Sequence, residues 1–148
     1  MLYLLFHVKS ESYAVDVRDV IEVVPWVKLR SIPKAPVYVA GLLNYRGESV
    51  PVLDLCMLLH NQNCAAVFGS RIVLAKYFDA RGVARVLGLL AEQVTETLQC
   101  NAEEFRPSTL VHTEAPYLRE VMTYRDHLVQ RVDVNALLPA EVQALLFQ

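Results

Sequence analysis

The sequence predicts a mainly β fold with a few short helices. Short apolar segments dominate its 148 residues, and turn signals separate them. Such spacing is typical of an all-β sandwich or barrel. The hydrophobic content of 54% is enough for a sizeable core, and it argues against disorder, because disordered chains are poor in apolar residues. The length suits one domain, or two small barrels in one chain.

The first quarter of the chain predicts strands around one ambiguous stretch. Residues 2–8 form a nearly continuous apolar run, long enough for a strand that is buried on both faces. A polar turn at 9–12 leads into residues 13–18, which alternate with period 2. The apolar positions of residues 17–24 also fit helical spacing, so a strand and a short helical turn both remain open there. Pro25 stops any helix.

The next segments predict a hairpin followed by a capped helix. Residues 37–43 indicate one or two helical turns that run into a strand. Residues 46–49 are typical of a hairpin turn, in which Gly47 supplies backbone freedom. Pro51 lies inside the following strand and predicts an edge position or a bulge, because proline cannot donate to the ladder. Asp54 is well placed to cap the next helix.

The second half predicts mostly hairpins. Residues 60–70 form the most irregular stretch and indicate a loop. A hairpin is predicted at residues 72–78 with 83–90, and a strand at 94–98. A helical turn follows at 101–106, a second hairpin at 117–124 with 127–134, and a final helix at 139–147.

Charge and cysteine content narrow the function classes. The chain has 14 basic and 16 acidic residues, so it carries no basic footprint for nucleic acid. It has no apolar run of about 20 residues and no basic, cleavable leader, which predicts a cytoplasmic protein without membrane insertion. The odd set of Cys56, Cys64 and Cys100 lacks C-x-x-C spacing. We therefore expect buried thiols in a reducing compartment rather than a disulfide framework or a zinc site.

The sequence contains no motif for catalysis, metal binding or phosphate binding. None of the histidines lies in a metal-binding pattern with another; they are His7, His60, His112 and His127. Cys56 could act as a nucleophile with a distant histidine, but its place on an apolar helix favours a buried thiol. The sequence therefore predicts no catalytic residue, no metal and no cofactor.

Four strings resemble a known family in their order and spacing. They are residues 20–24 (VIEVV), 32–36 (IPKAP), 41–47 (GLLNYRG) and 50–55 (VPVLDL). Together they resemble the CheW-like domain, and the last two strings at this spacing are highly specific. The second half fits as well, through residues 71–74 and 86–90, so that the resemblance covers almost the whole chain.

The resemblance implies both a fold and a role. The fold is two SH3-like five-stranded β-barrels packed side by side within a single CheW-like domain of residues 1–148. We expect the change-over between the barrels in the loop at 60–70. The role is that of a non-catalytic adaptor, which joins the cytoplasmic hairpin tip of a methyl-accepting chemoreceptor to the regulatory domain of a CheA-type histidine kinase. Such adaptors build signalling arrays at the inner face of the membrane.

By the same resemblance, the partner-binding groove lies between the two barrels. We expect Val20, Glu22, Gly41 and Arg46 on or near it. Each has a structural alternative. Glu22 and Arg46 could form a surface ion pair worth about 0–1 kcal/mol. Val20 could pack in the core, and Gly41 could meet a backbone requirement. Asn44 is expected to organise the turn before Arg46 through a side-chain-to-backbone hydrogen bond.

Two other functions remain open. The first is a module of the same fold that competes for the kinase or inhibits it. The second, more remote, is a small soluble enzyme, which would need a convergent cluster of histidine, cysteine and carboxylate groups. Departures from the family pattern bear on partner choice: Gln130 and Arg131 stand in the last strand, where apolar residues are usual. That strand is therefore at an edge, or one of its faces meets solvent or a partner.

Overall fold

The computed structural model describes residues 1–107 and 115–147, in which ten strands form two five-stranded sheets. One sheet uses the two ends of the chain, with β1 (Leu2–Val8), β2 (Glu11–Asp16), β8 (Gln93–Gln99), β9 (Leu118–Tyr124) and β10 (His127–Val132). The other uses the middle, with β3 (Val20–Pro25), β4 (Val39–Tyr45), β5 (Glu48–Asp54), β6 (Arg71–Phe78) and β7 (Ala84–Ala91). The helices in the described ranges are α1 (Leu55–His60) and α2 (Ala140–Leu146), with single 3-10 turns at Val17–Asp19, Ala102–Glu104 and Val134–Ala136.

Each sheet curls so that its outer strands approach one another. In the sheet β3-β6-β7-β5-β4, Tyr45 of β4 reaches Glu22 of β3 through a hydrogen bond of 2.5 Å. In the sheet β8-β1-β2-β10-β9, the segment that follows β8 pairs with β9 through Arg106 and Val121. We call these the central barrel (β3–β7) and the terminal barrel (β1, β2, β8–β10). The predicted mainly β fold of two five-stranded units with a few short helices is confirmed.

The boundary between the barrels was predicted in the wrong place. The chain enters the central barrel at Val20 and leaves it after Ala91, so the loop at 61–70 connects α1 to β6 of the same barrel. The physical reason is the parallel pairing of β5 with β7, in which Val52 lies opposite Gly88. Parallel neighbours need a long crossover connection, and here α1, the loop and β6 supply it.

The barrels share one hydrophobic core. A large cluster joins buried side chains of the terminal barrel, such as Phe6 and Val15, to buried side chains of the central barrel, such as Leu53 and Leu89. A smaller cluster fills the interior of the terminal barrel, around Leu5. Because neither barrel buries the shared cluster alone, we expect the two barrels to stabilise each other.

For residues 17–24 the sequence left a strand and a short helical turn open, and for residues 37–43 it predicted one or two helical turns before a strand; most of both stretches is strand. In residues 17–24 the 3-10 turn covers only Val17–Asp19, and β3 follows as a strand paired antiparallel with β6. Residues 37–43 contain a turn at 37–38, and β4 begins at Val39. In both places hydrogen bonding to a neighbouring strand outweighs local helical periodicity.

Pro51 does not lie on an edge strand or in a bulge of its own strand, because β5 runs between β4 and β7. Its partner Leu42 makes both backbone hydrogen bonds to Arg30, at 2.7 and 2.9 Å, on the side away from β5. The nitrogen of Pro51 therefore faces β7, where the parallel ladder begins only at Val52. A proline fits there because no ladder hydrogen bond from its nitrogen is required.

The last strand is also internal, since β10 lies between β2 and β9. The edge interpretation was therefore wrong, and the polar residues are half-buried on a sheet face. Arg131 donates to Glu120 at 2.6 Å, and Gln130 donates to the backbone carbonyl of Arg119. These bonds satisfy polar groups where apolar ones are usual.

Several local predictions are confirmed. Asp54 caps α1 by accepting a hydrogen bond from the backbone N–H of Met57 at 3.1 Å. The hairpins β6–β7 and β9–β10 form at the expected places, and α2 follows Pro139.

In the described part of the chain, no helix combines the length and the apolar character needed to cross a membrane.

Two of the three cysteines are not free thiols, contrary to the prediction. α1 ends at His60, the C-cap residue Asn61 has a φ of 57° that reverses the chain, and Cys64 returns beside the first turn of the helix. Its Cα atom lies 5.0 Å from that of Cys56, and the two side chains form a disulfide. A separation of eight residues resembles no redox motif, so only the reversal after α1 reveals the pairing. Cys100 is a buried free thiol, as expected.

Candidate functional site

The structure brings Glu22 and Arg46 together around Tyr45, where the edges of the central barrel meet. The Tyr45 hydroxyl donates to Oε2 of Glu22 at 2.5 Å. Nη2 of Arg46 lies 3.9 Å from Oε1 of Glu22, and the Arg46 guanidinium carbon lies 5.2 Å from the centroid of the Tyr45 ring. We call these three residues the Glu22 cluster. It combines an anion, a cation and an aromatic face on one exposed edge.

The hairpin turn between β4 and β5 positions the cation. Arg46 and Gly47 occupy its two central positions with φ angles of 51° and 82°, as a two-residue hairpin turn requires. The side chain of Asn44 accepts a hydrogen bond from the Gly47 N–H at 3.2 Å, which confirms its predicted role. The backbone thus fixes Arg46 at the tip of the hairpin and leaves its side chain directed to solvent.

The electrostatics of the cluster leave Arg46 available to a partner. The hydrogen bond to Glu22, followed by burial, raises the pKa of the Tyr45 hydroxyl, which therefore stays protonated and donates at neutral pH. The side chain of Arg46 is 77% exposed and that of Glu22 is 40% exposed. An ion pair this exposed and this long contributes about 0–1 kcal/mol. Little free energy is therefore needed to redirect the guanidinium to a carboxylate of another protein.

Val20 and Gly41 lie outside the cluster. Val20 begins β3 and packs half-buried against the shared core. Gly41 is buried in β4 beside an irregularity of register, with φ of 145°. It lies four residues before Tyr45, about 13 Å along the strand. A Cβ atom on Gly41 would lie 2.5 Å from the carbonyl oxygen of Arg30, so this position requires glycine on structural grounds.

Sequence reasoning missed three residues of this edge. Tyr45 links the predicted charges, yet the sequence showed no reason to separate it from the core residues of its strand. Ile21 and Val23 are exposed apolar residues on either side of Glu22 in β3. The segment VIEVVP has Glu22 as its one polar residue and does not alternate between apolar and polar positions, so the sequence carried no signal that Ile21 and Val23 are exposed.

Glu92 ties the two barrels together at the end of β7. It accepts backbone hydrogen bonds from Lys9 in the β1–β2 turn, at 2.9 Å, and from Ala65 in the loop after α1, at 2.8 Å. Nζ of Lys9 lies 3.3 Å away. Burial pushes the pKa of the Glu92 carboxyl up, but these hydrogen bonds and the lysine charge outweigh it, so that the pKa is lowered.

These contacts of Glu92 predict that Glu92→Gln has a pH-dependent effect on the free energy of unfolding. We expect a loss of about 1–2 kcal/mol in the free energy of unfolding at pH 7, because a charged acceptor of two backbone N–H groups is lost. A lowered carboxyl pKa stabilises the fold above the ordinary value of 4.5. That contribution disappears as the pH falls through the lower pKa of the folded state. Urea unfolding of both proteins at pH 7 and about pH 3 measures this, and an equal difference at both pH values would point to packing instead.

No metal or catalytic centre is assembled in the part of the chain that the structure describes. The one close group there that could ligate a metal is Asp54 with Cys56 and Cys64. Its sulfurs are bonded to each other, and both carboxylate oxygens accept backbone hydrogen bonds, from Met57 and Cys64. The side chain of His60 shares a hydrogen bond with the Tyr13 hydroxyl, and that of His7 shares one with the Ser12 hydroxyl. His112 lies outside the described residues.

Comparison with known proteins gives one consistent result. A family model described as the CheW-like domain matches residues 2–142. The chemotaxis protein CheW of Klebsiella aerogenes is 25% identical over 146 residues, which cover 97% of this chain and 85% of that protein. That of Rhizobium meliloti is 25% identical, with coverage of 92% and 86%. That of Bacillus subtilis is 23% identical, with coverage of 93% and 86%.

A solved structure has the same fold. The crystal structure of the scaffolding protein TtCheW from Thermoanaerobacter tengcongensis superposes with a TM-score of 0.83 and 22% sequence identity. The match covers 95% of this chain and 89% of that one. At this identity the likeness supports the two-barrel architecture.

Proposed function

This chain belongs to the CheW-like domain family, and on that premise we propose that it couples a methyl-accepting chemoreceptor to a CheA-type histidine kinase. Members of this family are adaptor and scaffold proteins of chemotaxis signalling, and the chain is accordingly not an enzyme. The observation that carries the proposed coupling role is the Glu22 cluster, in which Arg46 is an exposed cation with only a weak intramolecular partner. Arg46 lies in residues 41–47, one of the two strings that are together specific to the family.

The chemistry of this edge suits a helical partner. Helix recognition in a groove needs apolar contact area with a few polar groups that set orientation. The ring of Tyr45 offers the apolar area, and Glu22 and Arg46 offer charges of opposite sign beside it. Ile21 and Val23 alternate with Glu22 along β3 and lie on the other face of the strand. We assign direct partner contact to Glu22 and Arg46. Val20 and Gly41 contribute by shaping the strands that carry them.

The proposal extends to location and output. We infer a cytoplasmic protein that reaches the inner face of the membrane through its receptor, with the kinase regulatory domain as the second partner. A module of the same fold that inhibits the kinase would use the same surface. A reconstituted phosphorylation assay separates the two, because an adaptor raises kinase autophosphorylation in the presence of receptor, and an inhibitor lowers it.

Arg46→Glu tests the site. We expect at least a tenfold weaker affinity for a receptor-tip fragment or for the kinase regulatory domain, because the substitution reverses an exposed charge at an interface. The melting temperature should change by less than about 2 °C, since the lost ion pair contributes little stability. Isothermal calorimetry and thermal unfolding on the same preparations measure both quantities.

The chain offers a closely matched control. Arg125 occupies the β9–β10 hairpin with φ of 50°, lies 5.0 Å from the ring of Tyr124 and is 4.0 Å from Glu96. Its side chain is 72% exposed, close to the 77% of Arg46. Arg125→Glu should therefore leave binding unchanged if Arg46 makes a specific contact. Unchanged binding with a lower melting temperature in Arg46→Glu would make Arg46 structural and remove it from the site.

A further inference from the structure

The Cys56–Cys64 pair joins a rigid element to an irregular one. Cys56 lies in the first turn of α1, and Cys64 lies in the loop of residues 61–70, which we call the 61–70 loop. Both are buried in the shared core. The remaining cysteine, Cys100, belongs to the separate cluster inside the terminal barrel. Thiol–disulfide exchange within the chain is therefore confined to this pair. The pair is either joined by the disulfide or reduced to two thiols.

The fold accommodates both of those states. Without the disulfide, Cys64 remains anchored by its backbone N–H, which donates to Oδ2 of Asp54 at 3.1 Å. Ala65 remains anchored to Glu92 at 2.8 Å. The Cys64 sulfur lies 3.5 Å from the carbonyl oxygen of Leu90, which can accept a hydrogen bond from a thiol. Reduction thus leaves no buried polar group without a partner at this position.

The 61–70 loop carries the surface that would respond. Phe68 is 98% exposed, the largest exposed fraction among the large apolar side chains of the described residues. Its neighbour Val67 lines an open groove together with Trp26 and Val27, which follow β3. The Arg71 guanidinium donates to the Phe68 carbonyl at 2.9 Å. The disulfide therefore holds the first half of a loop whose second half forms one wall of this groove.

We propose that Cys56 and Cys64 form a reversible thiol–disulfide site that controls the order of the 61–70 loop and of the groove beside Trp26. The co-reactant is a low-molecular-weight thiol such as glutathione. When the 61–70 loop opens and exposes Cys64, the glutathione thiolate attacks Sγ of Cys64 and forms a mixed disulfide, while Cys56 leaves as a thiolate and takes up a proton. A second thiol then attacks the glutathione sulfur and releases Cys64. One protein disulfide and two thiols become one dithiol and one glutathione disulfide, with two electrons transferred.

The site does not depend on the adaptor role, so its test is separate from that of Arg46. The full-length protein with Cys100→Ser is equilibrated in glutathione buffers that range from fully oxidised to fully reduced. Alkylation with a polyethylene glycol maleimide counts the free thiols by gel shift, and the emission of Trp26, the one tryptophan in the sequence, reports on the groove.

We expect two thiols to appear together with a single midpoint and the Trp26 emission to shift to longer wavelength at that midpoint. Amide exchange of residues 65–69 should become at least tenfold faster on reduction. The matched control Cys56→Ser with Cys64→Ser in the same background should show no response to the redox buffer. If it does not fold, Cys64→Ser alone supplies a chain without the disulfide.

Three results would overturn the inference. The pair could stay oxidised in every glutathione buffer in which the protein remains folded, which would make it a fixed structural disulfide. It could stay reduced throughout, which would make it two buried thiols. The two thiols could also titrate while Trp26 emission and amide exchange stay constant, and the site would then have no control over the loop.

Discussion

Gly41→Val is expected to lower the free energy of unfolding by about 3 kcal/mol or more. Two effects add at this position. The φ angle of 145° belongs to a region that is nearly closed to residues with a side chain. In addition, a Cβ atom would lie 2.5 Å from the carbonyl oxygen of Arg30 and 3.0 Å from Cβ of Leu29, so the neighbouring segment must move. Urea unfolding followed by circular dichroism measures the loss.

The hairpin glycine supplies the control. Gly47 also has a positive φ, 82°, but a Cβ atom there would meet no atom within 4 Å. Gly47→Ala should therefore cost only the backbone strain, about 1 kcal/mol. This comparison also decides the role of Gly41. If Gly41→Val unfolds no more easily than Gly47→Ala yet loses partner binding, Gly41 is a contact residue after all.

Phe6→Ala is expected to cost about 3–5 kcal/mol and to destabilise both barrels together. Phe6 belongs to β1 of the terminal barrel, is almost fully buried and packs in the core that the central barrel shares. Trp26 packs against the same core from the central barrel. The urea midpoint seen by Trp26 fluorescence should therefore fall by the same amount as the midpoint seen by circular dichroism.

The neighbouring position tests how far this cooperativity extends. Leu5 precedes Phe6 in β1 but belongs to the cluster inside the terminal barrel. Leu5→Ala should cost about 2–5 kcal/mol and, in a single cooperative unit, also move the Trp26 transition. A Trp26 midpoint that stays unchanged in Phe6→Ala would mean that the central barrel folds independently of the terminal barrel.

Features that depend on nearby residues could be predicted from the sequence. Asp54 caps α1 through a residue three positions along the chain, and Asn44 accepts its hydrogen bond in the turn from a residue at the same separation. The backbone freedom of Gly47 belongs to a single residue. Their chemistry is the same in a short peptide and in the folded protein, and so local patterns identify them. The encounter of Glu22 with Arg46, in contrast, was expected only from the family resemblance.

Features that depend on pairing between distant segments could not be predicted. Residues 17–24 fit a helical turn as well as a strand until β6 is present to pair with β3. Pro51 indicated an edge, because the sequence could not show that the ladder with β7 begins one residue later. The Cys56–Cys64 pairing required the left-handed residue Asn61 to turn the chain back on α1.

The sequence by itself determined the fold class, the turns, the helix cap and the family, because apolar periodicity, turn chemistry and a specific string of residues are properties of neighbours. Only the tertiary structure decided which strands belong to which barrel. It also decided that Tyr45 joins Glu22 to Arg46, that Gly41 is a close-contact position and that Cys56 meets Cys64. The physical reason is that long-range contacts depend on the free energy of the whole packed core, to which no local segment contributes enough to specify its own partner.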